Sequence, residues 1–187
     1  MKTQPLRSTY QLKISLQGSR PAIWRRLLIA SSDNLEDVHI ALQIVMGWTN
    51  SHLHEFVCGR ERYGVPDKDF PSDVRDETDY RLHQLLKQEK DRMIYAYDFG
   101  DGWDHDVVLE KILPYEPGVV LPVCPEGGRA CPPEDVGGIP GYEMFLEAIS
   151  DPSHPEYEGM LEWVGGDFDP EQFDLALTNN LLREYCD

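Results

Sequence analysis

Between Cys124 and Tyr142 the chain reads C-P-E-G-G-R-A-C-P-P-E-D-V-G-G-I-P-G-Y, with five glycines and four prolines in 19 residues. Proline removes backbone donors, and glycine weakens helices and strands alike, so this run is neither a helix nor a central strand. Flexible linkers favour Ser, Gln or Lys and have little use for paired cysteines. The run is therefore expected to be an ordered loop, packed over the strand that carries His52 and His54.

Patterns on either side of the loop define the fold class. Tyr10, Leu12, Ile14 and Leu16 alternate with Gln11, Lys13, Ser15 and Gln17, the period of a half-exposed strand. Gly18-Ser19-Arg20-Pro21 is a turn signal, and residues 22–30 read as a second strand, so 8–30 is expected to be an antiparallel hairpin. Asn34 followed by Asp37 resembles a capping box. Leu35, Val38, Leu42 and Val45 place one apolar stripe on a helix that Gly47 can end. Residues 51–58 return to strand character, 64–79 read as an exposed acidic loop, and 81–88 as a short helix. Gly100-Asp101-Gly102 joins two strands, 93–99 and 103–113, in a second hairpin. Helices are expected from Gly141, over 157–164 and over 170–185, the last capped by Asp169.

The expectation is a single α+β domain over 1–187. Its sheet is mostly antiparallel, built from two hairpins and one strand and packed by one central helix. Its parts are a core at 8–114, the Gly/Pro loop at 115–140 and a helical C-terminal part at 141–187.

The formal net charge of −17 is unevenly placed. Residues 1–32 hold Lys2, Arg7, Lys13, Arg20, Arg25 and Arg26 and no acid; the remainder holds 11 basic and 34 acidic residues, a balance of −23. So acidic a body repels phosphate backbones, and duplex DNA is not an expected partner. No apolar run reaches the roughly 20 residues of a membrane span, and no signal peptide is expected from the opening residues. The cytoplasm is the expected compartment, with Cys58, Cys124, Cys131 and Cys186 as thiols.

Several segments together resemble the Ri-plasmid open-reading-frame-three-like family. They are P-A-I-W-R-R at 21–26, M-G-W-T-N-S-H-L-H-E-F at 46–56, Y-A-Y-D-F-G-D-G-W-D-H at 95–105, C-P-P-E-D-V-G-G at 131–138 and G-G-D-F-D-P-E-Q-F-D at 165–174. The resemblance implies a fold and a plasmid or insertion-element context, and it brings no established reaction. Some members are labelled resolvases. That chemistry needs an arginine cluster and a basic helix-turn-helix, whereas here the C-terminal third is acidic.

Three groups of residues could carry chemistry. His52 and His54 share one strand face and, with Cys124 and Cys131, could complete a tetrahedral zinc site; the alternative is that the histidines hydrogen-bond the overlying loop. Asp98, Asp101, Asp104 and Asp106 crowd a tight turn that could meet a cation or cap its own amides, with Trp103 and His105 beside them as further candidate binding residues. Glu134 and Asp135 follow two prolines and could hold a cationic group. No coherent catalytic set emerges. The first reading is a binding module that recognises a protein or peptide through an aromatic and acidic face. A metal-assisted hydrolase and a nucleic-acid-associated mobile-element accessory protein are the alternatives.

Overall fold

The computed structural model describes residues 7–67, 69 and 73–186. Alternation in the first segment produces two strands, β1 (Ser8–Leu16) and β2 (Trp24–Ala30), paired antiparallel with Leu12 opposite Leu27. Tyr10, Leu12, Ile14 and Leu16 all turn inward, as do Leu27 and Ile29. Each such aliphatic side chain withdrawn from water contributes about 1.5–3 kcal/mol. Helix α1 (Leu35–Met46) lays Leu35, Val38, Leu42 and Val45 into this core. Asn34 Oδ1 accepts from Asp37 N at 2.8 Å, and Asp37 returns a bond to Asn34 N, closing the capping box. Gly47 ends the helix at φ 89°, a conformation that favours glycine.

The remaining strands are β3 (His54–Cys58), β4 (Glu61–Gly64), β5 (Val74–Asp76), β6 (Arg92–Tyr97), β7 (Trp103–Pro114) and β8 (Val123–Gly128). Among the described residues they join β1 and β2 in one eight-stranded sheet in the order β5-β4-β3-β6-β7-β1-β2-β8. All neighbours are antiparallel except β4 and β5. The α+β class and the two hairpins hold, and β4, β5 and β8 enlarge the sheet.

Three local expectations are corrected. The Gly/Pro run is not all loop: its first residues form β8, an edge strand beside β2, where proline is tolerated. Glycine is required there. A Cβ on Gly127 would fall 2.6 Å from the Phe173 ring, and one on Gly128 would fall 2.8 Å from Trp24 Nε1. The acidic 64–79 segment contains β5 and a 3-10 turn (Glu77–Asp79) whose first residue is buried; residues 68 and 70–72 of that segment lie outside the described residues. The last helix starts at Leu175, capped by Asp174 and not by Asp169, whose carboxylate accepts from Glu171 N instead.

The other helices are α2 (Leu82–Leu85), α3 (Gly138–Ser150), α4 (Tyr157–Val164) and α5 (Leu175–Tyr185). Pro140 sits in the first turn of α3, where a missing N–H costs nothing. Beside β8, Asn179 of α5 accepts from Cys124 N at 2.9 Å and donates to Cys124 O at 2.7 Å. Among the described residues no helix is long and apolar enough to cross a membrane.

Arg25 occupies an inward position of β2 between Ile23 and Leu27 and is 1% exposed. Its Nε donates to Val45 O at 2.6 Å and its Nη1 to Trp24 O and Gly128 O. The guanidinium lies 3.8 Å from the Phe173 ring centroid. Burial lowers its pKa, with Cys131 and Cys124 opposing. The basic hairpin thus spends one arginine on joining β2, α1, β8 and the segment before α5. Arg26 pairs with Glu110 at 2.6 Å and with Glu126.

Candidate functional site

Three connections meet at one end of the sheet: residues 47–53 leading into β3, the turn 98–102 between β6 and β7, and residues 129–137 between β8 and α3. The last drapes over the first two. Trp48 Nε1 donates to Pro132 O at 3.1 Å. Glu134 accepts from Thr49 N, from Thr49 Oγ1 at 2.6 Å and from Tyr97 OH at 2.7 Å. Tyr97 OH also accepts from Ser51 N, so one phenol links both connections. Burial and the Glu134 carboxylate push the Tyr97 proton's pKa up. Burial alone would raise Glu134, but its bonds from Thr49 and Tyr97 bring it below the ordinary carboxylate value. Asp101 Oδ2 accepts from Gly137 N at 3.0 Å, and a Cβ on Gly138 would strike Asp101 O, which holds the start of α3 against the turn.

Within this frame His52, Asp98 and Asp135 converge. His52 Nε2 stands 3.1 Å from Asp135 Oδ1 and 3.6 Å from Asp98 Oδ2. All three ligand atoms lie within 4.8 Å of one another. Asp98 N donates to Leu53 O, and its Oδ1 accepts from Gly100 N at 3.0 Å, which leaves Oδ2 turned toward the imidazole. Asp98 and Asp135 both have left-handed backbones, φ 53° and 60°, a conformation Asp tolerates better than most residues.

The other expected site residues have different places. His54 does not join His52: its Nε2 meets Glu77 at 2.8 Å, and its ring stacks on His39. Gln43 donates to Tyr95 OH, Tyr95 OH lies 2.8 Å from His39 Nδ1, and His39 Nε2 meets Asn50 Oδ1 at 3.0 Å. That chain is satisfied when His39 is neutral with its proton on Nε2. Burial, reinforced by His54, lowers the His39 pKa to about 4. His39 and Glu77 were not legible as site residues, because one lies on the helix stripe and the other in an apparent surface loop.

Trp103 and His105 are interior residues, not a binding face. His105 Nδ1 meets Tyr95 O at 3.0 Å, and burial lowers its pKa to about 4. Both lie beneath Trp48, which also stacks on Tyr97 at 4.8 Å.

The zinc set His52, His54, Cys124 and Cys131 does not assemble; among the described residues, the group with metal-ligand spacing is His52, Asp98 and Asp135. Cys124 is buried beside β2, where burial raises its thiol to about 11 against the pull of Arg25. Burial raises Cys131 further. Neither is poised as a thiolate ligand or nucleophile.

Asp135 also borders a second feature. A groove of about 560 Å³ runs between α3 and α4, lined by Val136, Met144, Phe145, Pro155, Met160 and Trp163, with Asp135 and Glu156 among its walls. Met144 is 65% exposed and Trp163 48%.

Comparison with known proteins gives this architecture relatives. The chain is 38% identical over 179 residues to the uncharacterized protein y4hQ of Sinorhizobium fredii (strain NBRC 101917 / NGR234), covering 95% of this chain and 92% of that one. The crystal structure of a protein of unknown function, MM3350 from Methanosarcina mazei Go1, superposes with a TM-score of 0.81 at 41% identity, over 91% of this chain and 97% of that chain. Residues 8–177, which include every residue of the His52 cluster, match the family described as plasmid pRiA4b ORF-3-like protein. The chain belongs to that plasmid pRiA4b ORF-3-like family.

Proposed function

We propose that this protein is a non-catalytic binding module of the cytoplasm whose α3–α4 groove receives a basic amphipathic segment of a partner protein. The carrying observation is the pair of large apolar side chains, Met144 and Trp163, held open to solvent over an apolar floor. Tryptophan and methionine so placed are the usual anchors of helix-in-groove recognition. Charge selects the partner's sign. Between Gly138 and Cys186 the chain has eleven carboxylates against one arginine, Arg183, and no lysine. A segment with lysines flanking its apolar face gains from that field, and an acidic one is repelled.

Calorimetric titration with a synthetic leucine/lysine amphipathic peptide, and with its leucine/glutamate counterpart, tests the reading. Saturable binding of the first alone is expected, weakened at least tenfold by Met144→Glu and by Trp163→Ala. Equal binding of both peptides, no binding of either, or indifference to both substitutions would refute it.

A further inference from the structure

We infer that His52, Asp98 and Asp135 form a binding site for a divalent first-row transition cation. The inference is independent of the groove reading. Its basis is the donor set and its fixity.

His52 Nε2 is shielded from solvent and has no hydrogen-bond partner, although two carboxylate oxygens stand near it. The 3.1 Å approach of Asp135 is too far out of line for an N–H donation. The imidazole nitrogen and the two oxygens therefore share a small space without satisfying one another. A cation placed among them answers all three at once.

Distances fit such an ion. With metal–ligand bonds of about 2.0–2.2 Å, adjacent donors lie about 3.0–3.5 Å apart. Two of the three edges here are 3.1 and 3.6 Å, and the third is within 4.8 Å. Asp98 is preset: its side chain is only 9% exposed, and its other oxygen is held by Gly100 N. Asp135 is 70% exposed and His52 27%, so the ion would keep positions open to water.

Donor chemistry narrows the ion. One imidazole and two carboxylates, with no thiolate in the group, suit Zn²⁺ or Mn²⁺ over soft ions, and a double charge balances two carboxylates. Tyr97, Glu134 and Asp101 act as a supporting frame, since they tie the three connections together without being ligands.

The test uses full-length, chelator-stripped protein titrated with Mn²⁺, following loss of the free-ion electron paramagnetic resonance signal. One saturable ion per chain is expected. His52→Gln and Asp135→Asn should each weaken binding at least tenfold, whereas Glu143→Gln, an exposed acid on α3, should leave it unchanged. Asp98→Asn should behave like the first two where circular dichroism shows a native fold. Asp135 is mostly exposed, so its variant keeps the test valid even if another variant misfolds. Absence of saturable uptake, or uptake unaltered by Asp135→Asn, would overturn the assignment and leave diffuse attraction to an acidic surface.

Discussion

The imidazole of His54 lies flat on that of His39, with centroids 3.4 Å apart and planes 6° from parallel, and of these two rings His54 is the one that meets a carboxylate, Glu77. Burial that keeps the His39 ring neutral makes stability depend on pH. His39 and His105 both titrate near 4 in the fold against 6.5 ordinarily, so the unfolded chain takes up their protons first. Their contribution is intact above pH 6.5 and is lost as pH falls toward 4. Asp33, raised to about 6 mainly by burial, acts in the opposite sense and recovers stability as pH falls from 6 toward 3.8. Two losses against one gain leave about one net proton, or about 1.4 kcal/mol per pH unit. Chemical denaturation at pH 6 and pH 5 should show that decline. His39→Gln should be weaker at neutral pH but nearly flat across the same interval.

Arg25 and its neighbour Arg26 should respond very differently to truncation. Arg25→Met leaves the carbonyls of Val45 and Gly128 without their donor inside the core, an expected loss of about 2–4 kcal/mol. Arg26→Ala removes a partly exposed pair with Glu110 and should cost about 1 kcal/mol or less. Urea midpoints of the two variants decide the ordering.

Glycine substitutions should split by the space around them. Gly127→Ala would press a methyl into Phe173 and Arg25, with an expected loss of about 1–3 kcal/mol. Gly159, within α4, has nothing within 4 Å of a built Cβ, so Gly159→Ala should gain about 0.5–1 kcal/mol from helix propensity. Thermal melts of the pair would be contradicted by equal shifts.

Glu134→Ala should loosen residues 130–136 without unfolding the sheet. It removes the acceptor for Thr49 and Tyr97 and strands the Tyr97 hydroxyl. Hydrogen exchange should accelerate in that segment and at Ser51, while β1 and β7 keep their protection. Unchanged exchange at 130–136 would mean that the loop is held elsewhere.

Duplex DNA should not bind at physiological salt. Arg25 is buried and Arg26 is paired, so the basic segment has fewer charges to offer than its sequence implies. A sequence-specific, sub-micromolar mobility shift would contradict this.

What could be read from sequence divides along physical lines. Local rules were reliable where side chain and backbone agree within a few residues: the alternation at Tyr10–Leu16, the Asn34–Asp37 box, Gly47, and the Gly100–Gly102 turn. The antiparallel α+β architecture follows from these. Sequence pattern failed where tertiary contact decides. Gly127 and Gly128 looked like breakers, yet are small because Phe173, Arg25 and Trp24 press on them in a strand. Arg25 entered the sequence reading only as one charge of a basic hairpin, because nothing nearby in sequence announces Val45 O or Gly128 O. At the site, His52, Asp98 and Asp135 were each legible as candidates. Their grouping was not, since it requires three connections to meet, and the paired cysteines offered themselves as ligands although burial keeps them protonated.

The two-way bond between Asn179 and Cys124 also bears on colloidal behaviour. A side-chain amide carries the same donor and acceptor as a peptide unit, so Asn179 stands beside β8 as a ninth strand one residue long. A sheet margin left open invites a strand from another molecule. Here one amide, supplied by the chain's own last helix, occupies the position at which such a stranger would first dock. Cover at this point of the β8 edge thus rests on α5, so the last helix shields a sheet margin as well as packing beside it.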